Sequence, residues 1–341
     1  MDLYSGRVTP PVPADDDRSN KKDKAWKDIF LKSGLPLEHS VAGVLKRLGL
    51  MVQVEYNYVR RNERNEDVTF SVDLRAVHRD HRDLLLSALV ECKYCSPGTQ
   101  WIMVPNEDEA PFNQHRPSYF YGIDLFATES LFTLKTYDLY PQELMVHRGV
   151  QIARWGNVAP GTVSEAVAQL RYAALEQDIE WSAQRIRDAE LAGPDAPRLP
   201  YASVCLIVTT AEIRVLKPML SLEAFQKAES ADDVTVPQPY VFLHSRPDGI
   251  FERQAVRRIH DVLSDQALTA VHGPELLARV RASSAVTDLK NYTLGASRLH
   301  PDVFIVVQYD ALESVMAKIL ADAERLSMHN KHLTWDISKR K

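Results

Sequence analysis

Three side chains on two neighbouring strand-like runs have the types and spacing to do chemistry together. Asp73 lies in Phe70-Ser71-Val72-Asp73-Leu74-Arg75-Ala76, and Glu91 and Lys93 lie in Leu89-Val90-Glu91-Cys92-Lys93-Tyr94. Residues two apart on a strand project to the same face, so Glu91 and Lys93 point together. If the two runs pair as a hairpin, Asp73 converges on them. Charges beside so apolar a strand are costly to desolvate unless they are paired or bind a metal. Hard carboxylate oxygens suit Mg²⁺, with Mn²⁺ as a substitute, and such an ion takes phosphate oxygens as further ligands. The plain alternatives are an Asp73–Arg75 pair and a solvated ion pair of Glu91 with Lys93 on an edge strand. The nearly continuous apolar run from Leu84 to Val90 argues for a central strand instead.

The elements that must position these residues are legible on either side of them. A short helix is expected over Ala25–Ser33, and a second over Pro36–Leu48, where Leu37, Val41, Val44, Leu45 and Leu48 form one stripe. Strands are expected at Met51–Val59, Val68–Val77 and Leu84–Tyr94, with Phe70, Val72, Leu74 and Ala76 sharing one face. Ser96–Gly122 reads as an inserted loop and Phe126–Ile152 as strand-rich. Ser164–Leu191 is the best long helix. Ala202–Thr210 is a buried strand, expected to pair through a tight turn with Ile213–Leu216. Tyr240–His244 and Val303–Val307 read as strands, and Phe251–Leu263, Pro274–Val280 and Ala311–Leu326 as helices. The fold class is therefore α/β, a mixed central sheet flanked by helices.

An acidic helix start at Glu38, a strand, the Asp73 strand and then Glu91-x-Lys93 resemble the PD-(D/E)XK nuclease superfamily, which includes restriction endonucleases and Holliday-junction resolvases. Val72 stands where the eponymous proline would. The resemblance covers residues 25–218, with an insertion at about 96–160. It implies a restriction-endonuclease-like core of order α-β-β-β-α-β, followed by a C-terminal α/β extension over 219–341. By the same resemblance Asp73, Glu91 and the backbone carbonyl of Cys92 would bind Mg²⁺. Glu38 would hold a second ion or its water shell, and Lys93 would polarise the attacking water. Gln100 stands where some relatives carry an assisting glutamine. The implied activity is hydrolysis of phosphodiesters, in DNA before RNA and as an endonuclease before an exonuclease. The implied setting is prokaryotic antiviral defence, or repair and recombination. The alternative is a non-catalytic nucleic-acid-binding or scaffold subunit of a larger complex, and a homodimer or a protein partner stays open.

Glu38 also has an ordinary reading, since a carboxylate in a first helical turn is favoured by the helix dipole. Arg60, Arg61 and Arg64 could contact a phosphate backbone, although Glu63, Glu66 and Asp67 dilute that patch. Among 341 residues, Lys plus Arg number 41 against 46 Asp plus Glu. The resulting net charge of −5 lacks the usual basic footprint of a nucleic-acid binder, but leaves room for a locally basic groove. Cys92, Cys95 and Cys205 are too few for a disulfide framework and point to a reducing, cytoplasmic setting. Cys92-x-x-Cys95 lacks a second ligand pair for zinc. No apolar run reaches about 18 residues, so no membrane partner is expected. The proline- and charge-rich segment 1–24 is expected to be a disordered leader.

Overall fold

A computed structural model of the chain describes residues 26–61, 66–79, 84–106, 119–121, 144–153, 156–192, 201–263, 275, 278 and 301–337. The leader at 1–24 lies outside them, as does the helix expected at Pro274–Val280, except for residues 275 and 278.

Helix α1 (residues 26–32) and helix α2 (Leu35–Arg47) meet at Gly34, whose φ of +84° a residue with a Cβ tolerates poorly. Pro36 fits the first turn of α2, and Leu37, Val41, Val44 and Leu45 form its buried stripe. The helix stops where Gly49 turns left-handed at φ +84°. Leu50 N–H then donates to Leu45 O at 3.1 Å and Gly49 N–H to Lys46 O at 3.0 Å, the paired bonds of a Schellman cap.

That cap launches an antiparallel meander of β1 (Met51–Arg61), β2 (Asp67–Arg79) and β3 (Leu85–Lys93). The strands β4 (Gln100–Pro105), β5 (Met145–Ile152) and β6 (Val158–Ala159) follow. The long helix α3 (Thr162–Ala192) then crosses the sheet to β7 (Tyr201–Thr209), which pairs in parallel with β3. Next come β8 (Glu212–Leu216), the short helices α4 (Leu222–Lys227) and α5 (Ala231–Val234), β9 (Thr235–Pro237) and β10 (Tyr240–His244). Helix α6 (Gly249–Leu263), β11 (Val303–Gln308) and helix α7 (Leu312–Ile337) complete the described chain.

All these strands belong to one mixed sheet of order β1-β2-β3-β7-β11-β10-β5-β4-β8-β9, with β6 beside β5. The expected α/β class and mixed sheet are therefore present. The segment read as an insertion supplies β4 and β5 to the sheet, so the loop expected at Ser96–Gly122 is partly strand. The C-terminal segment supplies β9, β10 and β11. Every residue of β7 is buried, as a continuous apolar run on a strand covered on both faces requires. Its alternate residues feed two cores. Ala202, Val204, Leu206 and Val208 pack in the cluster shared with α2 and α7. Cys205 and Ile207 pack with α3.

The expected β7–β8 hairpin does not form, because β3 and β11 occupy both edges of β7. Strand β8 lies instead between β4 and β9. It sits five places from β7 in the sheet, which in a flat sheet is about 24 Å. The chain from Thr209 to Glu212 spans about 11 Å at most. The sheet must therefore curl so that consecutive strands can sit far apart in its order. Among the described residues no helix is long and apolar enough to cross a membrane.

A buried polar network holds α3 onto the β3–β7 boundary. Ser87 Oγ donates to Gln177 Oε1 at 2.7 Å, and Gln177 Nε2 donates to Ser203 Oγ at 2.8 Å, with Ser87 and Ser203 in register across the two strands. All three are fully buried. Gln177→Ala should lower unfolding free energy in urea by about 2–3 kcal/mol, since it strands two buried hydroxyls. A loss below about 0.5 kcal/mol would show that this network does not anchor the helix.

Candidate functional site

The site begins where a hydrogen-bond ladder stops. Strands β2 and β3 pair from Arg79↔Leu85 to Leu74↔Val90, whereas β1 and β2 stay paired as far as Arg61↔Asp67. Beyond Leu74, β2 therefore leaves β3 and travels with β1. At this fork the Asp73 side chain takes over from the backbone, with Oδ2 accepting the Cys92 N–H at 2.5 Å. A strand residue turns its N–H and C=O to the same side, so the Cys92 carbonyl faces the same gap.

Opposite Asp73, Glu55 has left-handed backbone at φ +53°, and the pairing skips from Val54↔Leu74 to Tyr56↔Val72. The irregularity changes the faces of the hairpin. Leu74 and Ala76 pack in the core beneath α2, whereas Val72, Tyr56 and Tyr58 pack beneath α3, with Phe70 against them. The single face expected for Phe70, Val72, Leu74 and Ala76 is thus split at Asp73, where the kink rotates the strands.

Glu91 and Lys93 share the α3 side of β3. Lys93 Nζ donates to Glu91 Oε1 at 2.7 Å and to Gln169 Oε1, on α3, at 3.3 Å. The Glu91 side chain is 4% exposed and that of Lys93 24%, so this is no solvated edge pair. Glu91 Oε2 is buried with no hydrogen-bond partner. Burial, and then the charge of Asp73, push the Glu91 carboxyl up to about 7 against the pull of Lys93 and of the nearby Asp73 N–H, which stays outside good hydrogen-bond geometry with Oε2. Asp73 is raised by burial, which outweighs the Cys92 N–H and Lys93. Glu38 is raised by burial, then by the charges of Asp73 and Glu55. Arg75 does not neutralise Asp73, because it pairs with Glu180 at 3.0 Å.

Glu38, Asp73 and Glu91 thus fall in one electrostatic field, with Glu55 at its rim. The carboxyl of Glu38 also folds back over its own helix start, 3.3 Å from where a Cβ on Gly34 would lie. Its ordinary helix-end role and its place beside Asp73 coexist. Among the described residues no three His, Cys, Asp or Glu side chains gather as a ready-made metal cage. Mg²⁺ and Mn²⁺ do not need one, since one or two carboxylates plus waters suffice for Mg²⁺. Asp73, Glu91 through its partnerless oxygen, and the Cys92 carbonyl are the groups that could hold such an ion.

The other expected contacts are placed differently. The guanidinium of Arg60 stacks over the rings of Phe70 at 4.3 Å and Tyr172 at 4.6 Å. Arg64 and the side chain of Arg61 lie outside the described residues. Gln100 donates to Glu212 on β8 at 3.0 Å. The glutamine that reaches Lys93 is Gln169, which sequence reasoning missed. Its signal was a polar residue three after Ala166 and four before Ala173, on the buried side of α3. Cys92 and Cys95 are buried in different cores, and all three cysteines are free.

A carboxyl whose folded pKa exceeds its unfolded one stabilises the fold only while protonated. For Glu91 that contribution is full below pH 4.5 and lost as pH rises through about 7. It amounts to roughly 3 kcal/mol, and the raised Asp73 and Glu38 act in the same direction. The metal-free chain should therefore melt at progressively lower temperature from pH 5 to pH 8. Glu91→Gln should flatten most of that slope, and a flat wild-type profile would contradict the assignment.

No family model matches the chain, and neither a curated protein nor a solved structure matches it significantly.

Proposed function

We propose that the chain is a metal-dependent nuclease of the PD-(D/E)XK type, hydrolysing phosphodiester bonds in DNA. One observation carries this reading. Asp73, Glu91 and Lys93 converge at the fork between β2 and β3, on an element order α2-β1-β2-β3-α3-β7 in which β3 and β7 run parallel.

The chain's own groups divide the work. Asp73, Glu91 and the Cys92 carbonyl would hold Mg²⁺ at the fork, where it would supply Lewis-acid polarisation of the scissile phosphate and a more acidic water. Lys93 is steered by Glu91 on its own strand and by Gln169 across the gap, which leaves its ammonium a third donor for a water or a phosphoryl oxygen. In that position it stabilises charge growing on the phosphate. Glu38, whose carboxyl lies in the field of Asp73, would help to order water around such an ion. A proton on Glu91 competes with the cation, so Mn²⁺ affinity falls as pH drops below about 7.

The test incubates the full chain with plasmid, linear duplex, single-stranded DNA and RNA in Mg²⁺, Mn²⁺ or EDTA. Cleavage should require the cation, prefer DNA, and fall at least about 100-fold in Asp73→Ala and in Lys93→Ala, with circular dichroism unchanged. Undiminished cleavage by both variants would remove these residues from the reaction. An inert wild type that also binds no Mn²⁺ by calorimetry would leave a scaffold that keeps the fold without the chemistry.

A further inference from the structure

A cavity lies away from the carboxylates, where β4, β8 and β10 end and β5 begins. Its volume of about 780 Å³ is in the range that holds a small organic ligand. Among the described residues that line it are Lys217, His147, His244 and Arg246, and none of those described is Asp or Glu. We propose that this cavity binds a phosphate-bearing small molecule with an apolar or aromatic body.

The basic groups are built into place. Lys217 Nζ donates to the backbone carbonyls of Asp232 and Asp233, at 2.8 Å each, and one of its three donors remains. The carboxylates of those two residues are engaged elsewhere, Asp232 with Arg214 and Asp233 with the N–H groups of Glu229 and Ser230. The parallel pairing of Leu243 with Val146 sets the next residues, His244 and His147, side by side. Nδ1 of His147 lies 3.1 Å from the carbonyl of Pro105, to which it donates, so Nε2 is the nitrogen left for a ligand.

The turn that carries Ser245 and Arg246 is pinned from behind. Arg171 Nη2, on α3, donates to Ser245 O at 2.5 Å and Ser245 Oγ at 3.2 Å, and Ser245 N–H donates to Asp302 O at 2.8 Å. Burial holds the His244 imidazole below its ordinary value, so the cations of the wall are Lys217 and Arg246, and Asp302 places an acidic charge near His244 and Arg171. Asn106 adds a polar amide, and the remaining described wall residues are apolar. Phe225 is 40% exposed, and Met219 is 94% exposed on left-handed backbone at φ +55°. Cations on one side and uncovered apolar side chains on the other suit a phosphate ester better than a free inorganic anion.

The test is calorimetry on the full chain with inorganic phosphate, adenosine 5′-monophosphate and adenosine as probes. The monophosphate should bind at least about tenfold more tightly than adenosine, which lacks the charge, and than phosphate, which lacks the body. Arg246→Gln and His147→Gln alter exposed side chains and should leave the fold intact by circular dichroism. Together they should weaken the monophosphate by at least about tenfold. The proposal fails if no monophosphate binding is seen up to about 10 mM. It fails equally if adenosine binds as tightly, if phosphate alone binds as tightly, or if the double variant binds undiminished.

Discussion

Glu91 is a carboxylate on a central strand, buried and with one oxygen that meets no donor. Removing such a group from water costs several kcal/mol unless its surroundings compensate, and the site's architecture is the compensation. Lys93, two residues on along the same face, supplies an ion pair. Helix α3 lies across that face and brings Gln169 to hold the ammonium. On the other side β2 abandons the ladder, and Asp73 satisfies the N–H that the departing strand would have paired. The acids are thereby gathered closely enough to raise one another's proton affinity. A site of this kind persists only where the surrounding fold supplies stability from elsewhere, and the two cores on either side of β3 and β7 do so.

Helix α3 is the element through which most of this support passes. Successive polar side chains leave it toward different partners. Gln169 reaches Lys93, Arg171 reaches Ser245 beside the basic cavity, Tyr172 lies over Arg60, and Gln177 bridges β3 and β7. Arg171, Gln177, Asp178 and Ser182 are all buried. A helix that buries polar groups on several faces cannot show a clean apolar stripe. Its contacts fix the angle and register at which it crosses the sheet, because each hydrogen bond fails if the helix slides. The carboxylate site and the basic cavity are therefore tied to the same rigid body, although they share no lining residue.

What could be read from sequence followed the range of the interaction. Strands β3 and β7 announce themselves as apolar runs, since burial on both faces is written in consecutive residues. Helix α2 is legible from Pro36, its stripe and Gly49. The convergence of Glu91 and Lys93 follows from the two-residue period of a strand, and that of Asp73 from the short link before β3. Features set by pairing between distant segments were not legible. The curl of the sheet, the separation of β8 from β7, and the insertion of β10 and β11 between β7 and β5 have no local signature. The positive φ of Glu55 has none either, because a non-glycine residue holds that backbone only under tertiary constraint. Gln100 has only its sequence distance from Lys93 to recommend it. Gln169, 76 residues beyond Lys93, fills the place because the parallel β3–β7 crossover lays α3 over that face.

The unpartnered oxygen of Glu91 links the acid–base behaviour of the fold to the reading of its function. A buried carboxylate oxygen without a donor is relieved in one of two ways, by taking a proton or by ligating a cation. The two cannot occupy Oε2 together. A proton removes the charge that Lys93 answers, loosening the ammonium, whereas a cation keeps Glu91 ionised and leaves Lys93 paired. With a carboxyl pushed up to about 7, neutral solution lies near the balance between the protonated and the ionised form of Glu91. Asp73 shifts that balance toward whichever positive species can also reach its own carboxylate. A proton neutralises one oxygen, whereas a divalent ion at the proposed site would answer both acids and the Cys92 carbonyl at once. The same desolvation that makes the empty pair unfavourable is therefore what would make a divalent ion bind there in preference to protons.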